Sequence, residues 1–504
     1  MYAKVFSACL LGMQGVPVEV EVDYRSGLSH FAIVGLGDKA VQESRERVMS
    51  AIRNAGAQFV PQRVIVNLAP ANIPKTGPVY DLAIAVGFLI ATEQVTIPTR
   101  KVAFVGELNL EGKVLPVKGI LPLITGLLES GITDVVVPAQ CTQELTLIKG
   151  VNLYPIDHLQ EVLSFSVESL GALLSSSDKM STQAAHTTKF EDIRGQVLAK
   201  QAMLIAAAGG HHLLLSGIPG AGKTMLAKAL PSILPSLSED AVLEVAAIES
   251  VSAKSVSRES LYSPPFRSPH HSISVSALVG GGTVPQPGEV TLAHRGVLFL
   301  DEFPEFSRQA LDSLRQPLED KEIVVSRATH SVKFPADFQL VAAMNPCKCG
   351  YYNSGVKPCS CSAKEVRSYR EKVSGPIWDR IDLRVIVSKV AWEELTPSKQ
   401  ELTDLTSAQM AAQVIQARSR QLSRRGSSTN TLNSQIHSKE LLQVIQLTPA
   451  AAKVMQAAHE RLNFGGRTYF KLLRIARTIA DLTDSEKVHD VHIMQAMQFR
   501  AEIN

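Results

Sequence analysis

The sequence predicts an α/β protein of several domains, with a parallel sheet that carries a glycine-rich loop. A short apolar run at residues 212–216 precedes the loop 217–224, which has the pattern G-x-x-x-x-G-K-T, and the helix-forming run 225–230 follows it. Short β-like runs alternate with amphipathic helices over residues 1 to about 165. The length of 504 residues exceeds what one hydrophobic core supports, so we expect two to four domains.

Composition and charge narrow the class of protein. Lys and Arg together number 51 and Asp and Glu 48, so any nucleic-acid surface must be a local patch. The longest apolar stretch, residues 79–91, contains Asp81 and is too short to cross a bilayer. Residues 5–13 lack the features of a cleaved signal peptide. We therefore expect a cytoplasmic protein with no membrane partner.

The first 170 residues predict an α+β domain. A helix is expected from about 39 to 54, and β-like runs lie at 16–22, 31–34, 64–68, 103–105 and 135–137. The sequence of this part shows no phosphate loop, metal cluster or nucleophile constellation, which favours a scaffold or docking role. Residues 171–189 are rich in Ser, Thr, Ala and Gln and predict a linker. A nucleotide-binding domain is then expected at 190–395 and a mostly helical domain at 396–504.

The glycine-rich loop predicts a binding site for a nucleoside triphosphate. Its residues are Gly217, Ile218, Pro219, Gly220, Ala221, Gly222, Lys223 and Thr224. Glycines let backbone N–H groups surround the phosphates, and the N-terminus of the following helix adds partial positive charge. Lys223 is expected to reach the β- and γ-phosphates, and the Thr224 hydroxyl to bind Mg²⁺.

Two further apolar runs end in polar side chains that suit this chemistry. Residues 297–300 precede Asp301 and Glu302, about 75 residues after the loop. Asp301 is expected to hold Mg²⁺, and Glu302 to act as the base that polarises the attacking water. Residues 340–344 precede Asn345, which can hydrogen-bond the γ-phosphate or that water. Because open α/β sheets bind ligands at the carboxyl edge of their strands, we expect these side chains around one magnesium-bearing triphosphate.

Four of the six cysteines lie within fifteen residues. Cys347 and Cys349 form one C-x-C pair, and Cys359 and Cys361 form another after nine intervening residues. Four thiolates can close a tetrahedral zinc site, although C-x-C is tighter than the usual C-x₂-C spacing. The alternative is a set of free buried or mutually oxidisable cysteines. A zinc ion here would be structural, because four protein ligands leave no open position.

Several arginines are candidates for completing the triphosphate site. Arg380 is expected to reach the γ-phosphate of a neighbouring subunit, and the alternative is a surface ion pair with Asp379 or Asp382. Arg467 is expected to contact the phosphates from a C-terminal lid, because it opens a helix after a Gly-Gly turn. Arg474 and Arg477 lie on the same helix and are the alternatives to Arg467.

Two stretches are candidates for contact with nucleic acid. A β-hairpin over residues 318–334, with its turn near 327–329, would carry Arg327 and Lys333 near its tip. A mobile basic loop is expected where the polar run 426–434 follows four arginines that fall within eight residues: Arg418, Arg420, Arg424 and Arg425. A merely solvated hairpin and a merely solvated loop are the alternatives.

The segment between residues 230 and 296 is dense in Gly and Pro and is expected to protrude as a loop or hairpin. It contains the pair His270 and His271. No cysteine or acid follows this pair at the spacing of a metal ligand, so a structural or polyanion-contacting role is favoured.

Together these features resemble an AAA+ ATPase. The segments 266–271, 288–294, 345–347 and 374–376 further resemble the ComM/YifB group of magnesium-chelatase-like AAA+ ATPases. The resemblance runs over essentially the whole chain, and it includes segments 33–36, 43–48, 66–71 and 106–108. It implies an AAA+ core with a helical lid, preceded by a domain with a fold like ribosomal protein S5 and the Lon protease domain.

The resemblance implies a hexameric ATPase that binds DNA and drives branch migration of recombination intermediates during natural transformation. ATP and Mg²⁺ would be its cofactors, and single-stranded or branched DNA and recombination proteins its partners. The alternative is a chelatase-type subunit or chaperone that remodels a protein or metal-cofactor complex. Ile218 and Trp378 depart from the residues usual in the family, without altering the phosphate contacts. Val79 stands where the protease would carry its nucleophilic serine, so peptidase activity is not predicted.

Overall fold

A computed structural model describes residues 1–59, 62–96, 101–163, 188–252, 261–282, 285–326, 331–390, 405–425 and 431–500. The described residues form two compact units. The first takes its residues from Met1–Ser181, Ser238–Leu261 and Val324–Phe334, and the second from Thr182–Leu237, Tyr262–Ile323 and Pro335–Asn504.

The first 163 residues contain nine strands and five α-helices within the described ranges. In chain order these are β1 (Tyr2–Leu11), β2 (Gln14–Arg25), β3 (His30–Val34), α1 (Lys39–Asn54), β4 (Arg63–Ala69), α2 (Asp81–Ala91), β5 (Val102–Phe104), β6 (Glu107–Leu108), β7 (Val114–Leu115), α3 (Ile120–Glu129), β8 (Asp134–Pro138), α4 (Thr142–Leu145), β9 (Asn152–Ile156) and α5 (Gln160–Leu163).

The first unit is built on a mixed sheet of seven strands in the order β3-β4-β2-β1-β5-β8-β9. The two long strands β1 and β2 are antiparallel, whereas β5, β8 and β9 are parallel to their neighbours. The predicted strands and the helix from 39 to 54 are confirmed, because each follows a local pattern of apolar residues. Asp38 caps α1 by accepting the Val41 N–H at 2.9 Å. Helix α2 is apolar on every side and lies buried in the core.

The middle of the chain carries the second sheet. Its elements are α6 (Val197–Gly209), β10 (Leu213–Gly217), α7 (Lys223–Ala229), α8 (Glu239–Val251), β11 (Phe266–Arg267), α9 (Val275–Val279), β12 (Gly280–Gly281), β13 (Gln286–Pro287), α10 (Glu289–Leu292), β14 (Val297–Leu300), α11 (Arg308–Ser313), α12 (Arg315–Asp320), β15 (Glu322–Ser326), β16 (Ser331–Pro335), β17 (Gln339–Met344), α13 (Ala363–Glu371), α14 (Gly375–Trp378) and β18 (Leu383–Val387). The last described part is helical: α15 (Ser407–Arg425), α16 (Ser438–Val444), α17 (Pro449–Leu462), α18 (Gly466–Leu482) and α19 (Asp490–Gln498).

The second unit contains a parallel sheet of five strands in the order β11-β14-β17-β10-β18. Strands β10, β14 and β17 are completely buried, as their continuous apolar sequences predict for a parallel sheet. Val341 of β17 lies opposite Leu213 of β10 on one side and Phe299 of β14 on the other. The carboxyl ends of these three strands therefore meet at one edge, which positions the loops that follow them.

The loop or hairpin expected between residues 230 and 296 accounts for only part of this segment. The structure has helix α8 there, and Ser238 caps it by accepting the Ala241 N–H at 3.4 Å. Glu239 and Asp240 in the first turn favour the helix N-terminus, and the apolar residues that follow become its buried side. The Gly/Pro-rich sequence forms shorter elements later in the segment, including the β12–β13 hairpin.

None of the helices in the described ranges combines the length and apolarity needed to cross a bilayer. The expected domain boundaries near 170 and 395 fall outside the described residues and stay predictions.

Candidate functional site

The glycine-rich loop leaves the end of β10 and leads into α7. Gly220 and Gly222 have φ angles of +76° and +91°, which are left-handed conformations that glycine adopts without strain. Apart from its neighbours along the chain, no described residue has an atom within 4 Å of the position that a Cβ would take on Gly220 or Gly222. The backbone at this turn is therefore open to a ligand, as a phosphate-binding loop requires.

Lys223 lies buried at the start of α7. Its Nζ donates to Gly217 O at 2.8 Å, to Ile218 O at 2.9 Å and to Asn345 Oδ1 at 3.0 Å. Burial lowers the pKa of this ammonium group, and the negative charges of Asp301 and Glu302 offset part of the decrease. The cation is thus held beside the loop by neutral oxygens, which a phosphate oxygen can replace.

Thr224 and Asp301 lie in direct contact. Thr224 Oγ1 donates to Asp301 Oδ2 at 2.7 Å, and Asp301 Oδ1 accepts the Glu302 N–H at 2.9 Å. A hydroxyl and a carboxylate are the hard oxygen ligands that Mg²⁺ prefers, so the donor set fits this ion. The sequence assigned both residues to one metal ion, and the fold brings them together.

A cavity of about 640 Å³ opens over this contact. It is lined by Pro219, Gly220, Ala221, Gly222, Lys223, Thr224, Met225, Ser268, Pro269, His270, His271, Asp301, Glu302, Met344 and Asn345. The cavity has the size of a small-ligand site and carries a lysine, two carboxylates and an amide on its walls. Sequence reasoning assigned His271 a structural or polyanion-contacting role without placing it beside Glu302, whose Oε2 lies 3.1 Å from the His271 Nδ1.

The four cysteines converge, as the zinc expectation requires. Cys347 Sγ lies 3.3 Å from Cys349 Sγ and 3.7 Å from Cys359 Sγ, and Cys349 Sγ lies 3.5 Å from Cys359 Sγ. All four sulfur atoms, including that of Cys361, are within 4.8 Å of one another. Sulfur atoms around a tetrahedral zinc ion are about 3.8 Å apart, given Zn–S bonds of about 2.3 Å.

Arg380 contacts residues of its own chain. Its guanidinium donates to Glu319 and to Pro376 O, and the side chain is 15% exposed. The alternative predicted an ion pair of Arg380 with Asp379 or Asp382. The ion pair is instead with Glu319 at the end of α12, because Arg380 follows α14 and is directed towards that helix.

Arg467 is the most accessible of the three candidate arginines of α18. Its side chain is 80% exposed, and its Nη1 lies 3.5 Å from Asp379 Oδ2. Arg474 donates to Ile436 O at 2.9 Å, and Arg477 is buried against Asp481. Arg467 does not line the cavity described above, so its role at the phosphates stays a prediction.

The expected mobile basic loop at residues 418–425 is wrong, because this stretch belongs to helix α15. Arg418 donates to Ala207 O at 2.7 Å, and burial lowers its pKa to about 10. Arg420 donates to Asp481 O at 2.6 Å, and Arg424 forms an ion pair with Asp481. Arg425 is the last residue of the helix. The missed signal is the buried stripe at helical spacing that packs α15 against the fold: Met410, Val414, Ala417 and Gln421.

The predicted hairpin is present as the two-stranded sheet β15–β16. Lys333 is exposed on β16, between the buried side chains of Val332 and Phe334. Arg327 lies outside the described residues, so its place near the tip stays a prediction.

The parallel sheet, the glycine-rich loop and the Thr224–Asp301 pair together define a nucleotide-binding protein of the P-loop class. Family models for magnesium chelatase match most of the chain: "Subunit ChlI of Mg-chelatase" at residues 20–141, "Magnesium chelatase, subunit ChlI" at 189–395 and its C-terminal part at 404–500. The chain belongs to the magnesium-chelatase-like AAA+ family of the ComM/YifB type, whose membership implies an ATPase that uses ATP and Mg²⁺.

Relatives of this type match the chain from end to end. It is 38% identical to the competence protein ComM of Haemophilus influenzae, over 99% of this chain and 98% of that protein. It is 40% identical to the uncharacterized protein YifB of Escherichia coli, over 99% of this chain and 96% of that protein. A partial match, 28% identical over 31% of this chain, is to the Lon protease of Trichlorobacter lovleyi and covers 20% of that protein.

Proposed function

We propose that this protein is an ATP-driven DNA motor that works as a hexamer and promotes branch migration of recombination intermediates during natural transformation. The observation that carries the proposal is the contact of Thr224 with Asp301 in a cavity that also holds Lys223, Asn345 and Glu302. The name of the Haemophilus relative, a competence protein, supports a role in DNA uptake and recombination.

In this proposal each cavity residue has its own role in ATP hydrolysis. Lys223 and the loop N–H groups hold the phosphates, and Thr224 and Asp301 hold the magnesium ion that neutralises them. Glu302 accepts a proton from the attacking water, while Asn345 orients that water or the terminal phosphate. Arg380 and Arg467 complete the site in the assembled ring, Arg380 after leaving Glu319.

DNA contact is proposed for the β15–β16 hairpin rather than for the α15 arginines. Lys333 is exposed there, whereas the side chains of Arg418, Arg420 and Arg424 are only partly exposed on α15. A phosphate contact by Lys333 predicts that Lys333→Ala lowers the slope of log affinity against log salt concentration by about 1. Arg424→Gln is the comparison variant, for which no change in slope is expected.

The test is branch migration by the purified protein on three- and four-stranded DNA junctions. The proposal predicts ATP turnover stimulated by branched or single-stranded DNA, and loss of both turnover and migration in Lys223→Ala. Glu302→Gln should still bind ATP while turnover falls by a factor of about 10²–10⁴. Stimulation by a metallated protein partner and not by DNA would instead support the chelatase-type alternative.

We also propose that the four-cysteine cluster binds one structural zinc ion. The near-tetrahedral separation of its sulfur atoms supports this proposal. The purified protein should contain about one zinc per chain, and Cys347→Ser should lose it. Less than about 0.2 zinc per chain in the unaltered protein would contradict the proposal, since structural sites bind zinc tightly.

A further inference from the structure

The first unit contains two segments from the middle of the chain. One is 238–261, which includes α8, and the other is 324–334, which includes most of β16. Both lie in sequence between the phosphate loop and Asn345. The first unit is therefore not built from the N-terminal residues alone, and its contacts with these two segments bear on what it does.

Helix α8 belongs to the hydrophobic core of the first unit. Ala246 is 1% exposed in that core, and Leu243 and Ala247 pack against it. At the N-terminus of α3, the Gly119 N–H donates to Ser250 O at 3.0 Å. Burial of an apolar helix side, together with a backbone hydrogen bond, fixes α8 to the N-terminal residues.

The β15–β16 hairpin contacts the N-terminal residues at a turn. Gly12 lies in the turn between β1 and β2, with a φ of +66°. A Cβ on Gly12 would overlap Cγ1 of Val332 and would lie 3.4 Å from its Cβ. The side chain that Gly12 lacks thus leaves a space, here called the Gly12 notch, that Cγ1 of Val332 fills. Val332 is only 5% exposed.

The Gly12 notch determines which side of β16 faces solvent. Successive side chains of a strand point to opposite faces. Val332 and Phe334 are buried, and Lys333 between them is exposed. Because Val332 is seated in the notch, the contact also sets the place and direction of Lys333.

We propose that the Gly12 notch positions the β15–β16 hairpin for contact with DNA, so that the first unit sets the affinity for DNA. The inference rests on the proposed function, in which Lys333 contacts a DNA phosphate. Gly12 and Val332 are positioning residues and act through Lys333. The attraction between an ammonium group and a phosphate weakens with distance, so a displaced hairpin binds DNA less tightly.

Gly12→Ala tests the notch, because the added methyl group expels Cγ1 of Val332. We expect the Kd for a labelled three-stranded DNA junction to rise about five- to tenfold. The slope of log affinity against log salt concentration should fall by about 1, as in Lys333→Ala, because the same phosphate contact is lost. ATP turnover without DNA should stay within about twofold, since neither Gly12 nor Val332 lines the nucleotide cavity.

Gly56→Ala is the matched control in the first unit. Gly56 has a φ of +84°, and no described residue beyond its chain neighbours has an atom within 4 Å of its Cβ position. Its substitution carries a similar backbone cost without touching the hairpin. The Kd for the DNA junction should therefore stay unchanged in Gly56→Ala.

A second substitution should rescue the first. Val332→Ala removes Cγ1, so the double variant Gly12→Ala/Val332→Ala has room for both side chains. We expect it to regain the Kd and the salt slope of the unaltered protein within about twofold, whereas Val332→Ala alone should weaken binding less than threefold. Unchanged or tighter binding in Gly12→Ala, equal weakening in Gly56→Ala, or no recovery in the double variant would each overturn the role of the notch.

Lys333→Ala, measured alongside, separates this inference from the function on which it rests. Weaker binding in Lys333→Ala with none in Gly12→Ala would overturn the notch and leave the DNA contact standing. Unchanged binding and salt slope in Lys333→Ala would overturn the DNA contact of the hairpin, and the role of the notch with it.

Discussion

Two buried charges of the second unit, those of Asp481 and Lys223, differ in what neutralises them. At Asp481 the network is closed: the buried carboxylate accepts from Arg477 at 2.9 Å, pairs with Arg424 and accepts from Asn433 at 2.7 Å. At Lys223 the hydrogen-bond partners are neutral oxygens, and two carboxylates lie on the wall of an open cavity. A closed network serves stability, whereas an incomplete one beside a cavity is suited to a charged ligand.

The largest expected effect is at the incomplete network. Asp301→Asn removes one negative charge from the proposed magnesium site but keeps an oxygen that can accept from Thr224. We expect kcat for ATP hydrolysis to fall by a factor of about 10²–10³, because the charge that holds the ion is lost. The midpoint of thermal unfolding should change little.

Glu305→Gln is the control for Asp301→Asn. Glu305 is also an acid after β14, but it pairs with Lys372 at 2.9 Å and does not line the cavity. Steady-state kinetics over a magnesium titration should leave this variant near the activity of the unaltered protein. More than half of the normal turnover in Asp301→Asn at saturating magnesium would remove the distinction between the two networks.

A substitution in the Asp481 network should lower stability and leave ATP turnover unchanged. Asp481→Asn leaves the guanidinium groups of Arg477 and Arg424 without their buried countercharge, so we expect a loss of about 3 kcal/mol in local stability. Asp484→Asn is the matched control, because this acid is 77% exposed and pairs with Arg420 at 2.7 Å. Its loss should stay below about 1 kcal/mol.

Hydrogen exchange in α15 and α18 measures both effects as free energies of opening. ATP turnover per folded molecule is expected to stay unchanged in either variant. Equal protection in the two variants would show that burial does not distinguish Asp481 from Asp484.

The contrast also explains which parts of the site the sequence could predict. The loop 217–224 and the acids at 301 and 302 were predictable because each follows a short local pattern, and parallel strands bring their carboxyl ends together. Arg424 was misplaced because its countercharge, Asp481, lies 57 residues away along the chain. Counting charges over a short stretch of sequence does not reveal so distant a partner, although the apolar spacing at 410, 414 and 417 indicated a helix.

The position of His271 beside Glu302 could not be predicted for a related reason. Strand β11 is only two residues long, so its sequence shows no strand period. Its pairing with β14 is what brings the histidine to Glu302, and that pairing is a tertiary feature. The cysteine cluster was easier to predict because all of its members lie in one short segment.

The smallest expected effect tests whether the cysteine segment braces the phosphate loop. Gly350 has a φ of +89°, and a Cβ there would lie 2.7 Å from Cδ of Pro219. Gly350→Ala therefore forces the loop or the cysteine segment to shift. We expect the Kd for ATP to rise about fivefold, equivalent to about 1 kcal/mol, with the zinc content unchanged.

Gly355→Ala separates this contact from backbone strain. Gly355 lies in the same segment with a φ of +65°, but no described residue beyond its chain neighbours has an atom within 4 Å of its Cβ position. Both substitutions carry a similar conformational cost, while only Gly350→Ala meets the phosphate loop. Equilibrium binding of a fluorescent ATP analogue should thus weaken in Gly350→Ala alone. Equal weakening in both variants would mean that strain in the cysteine segment, and not its contact with Pro219, reaches the nucleotide site.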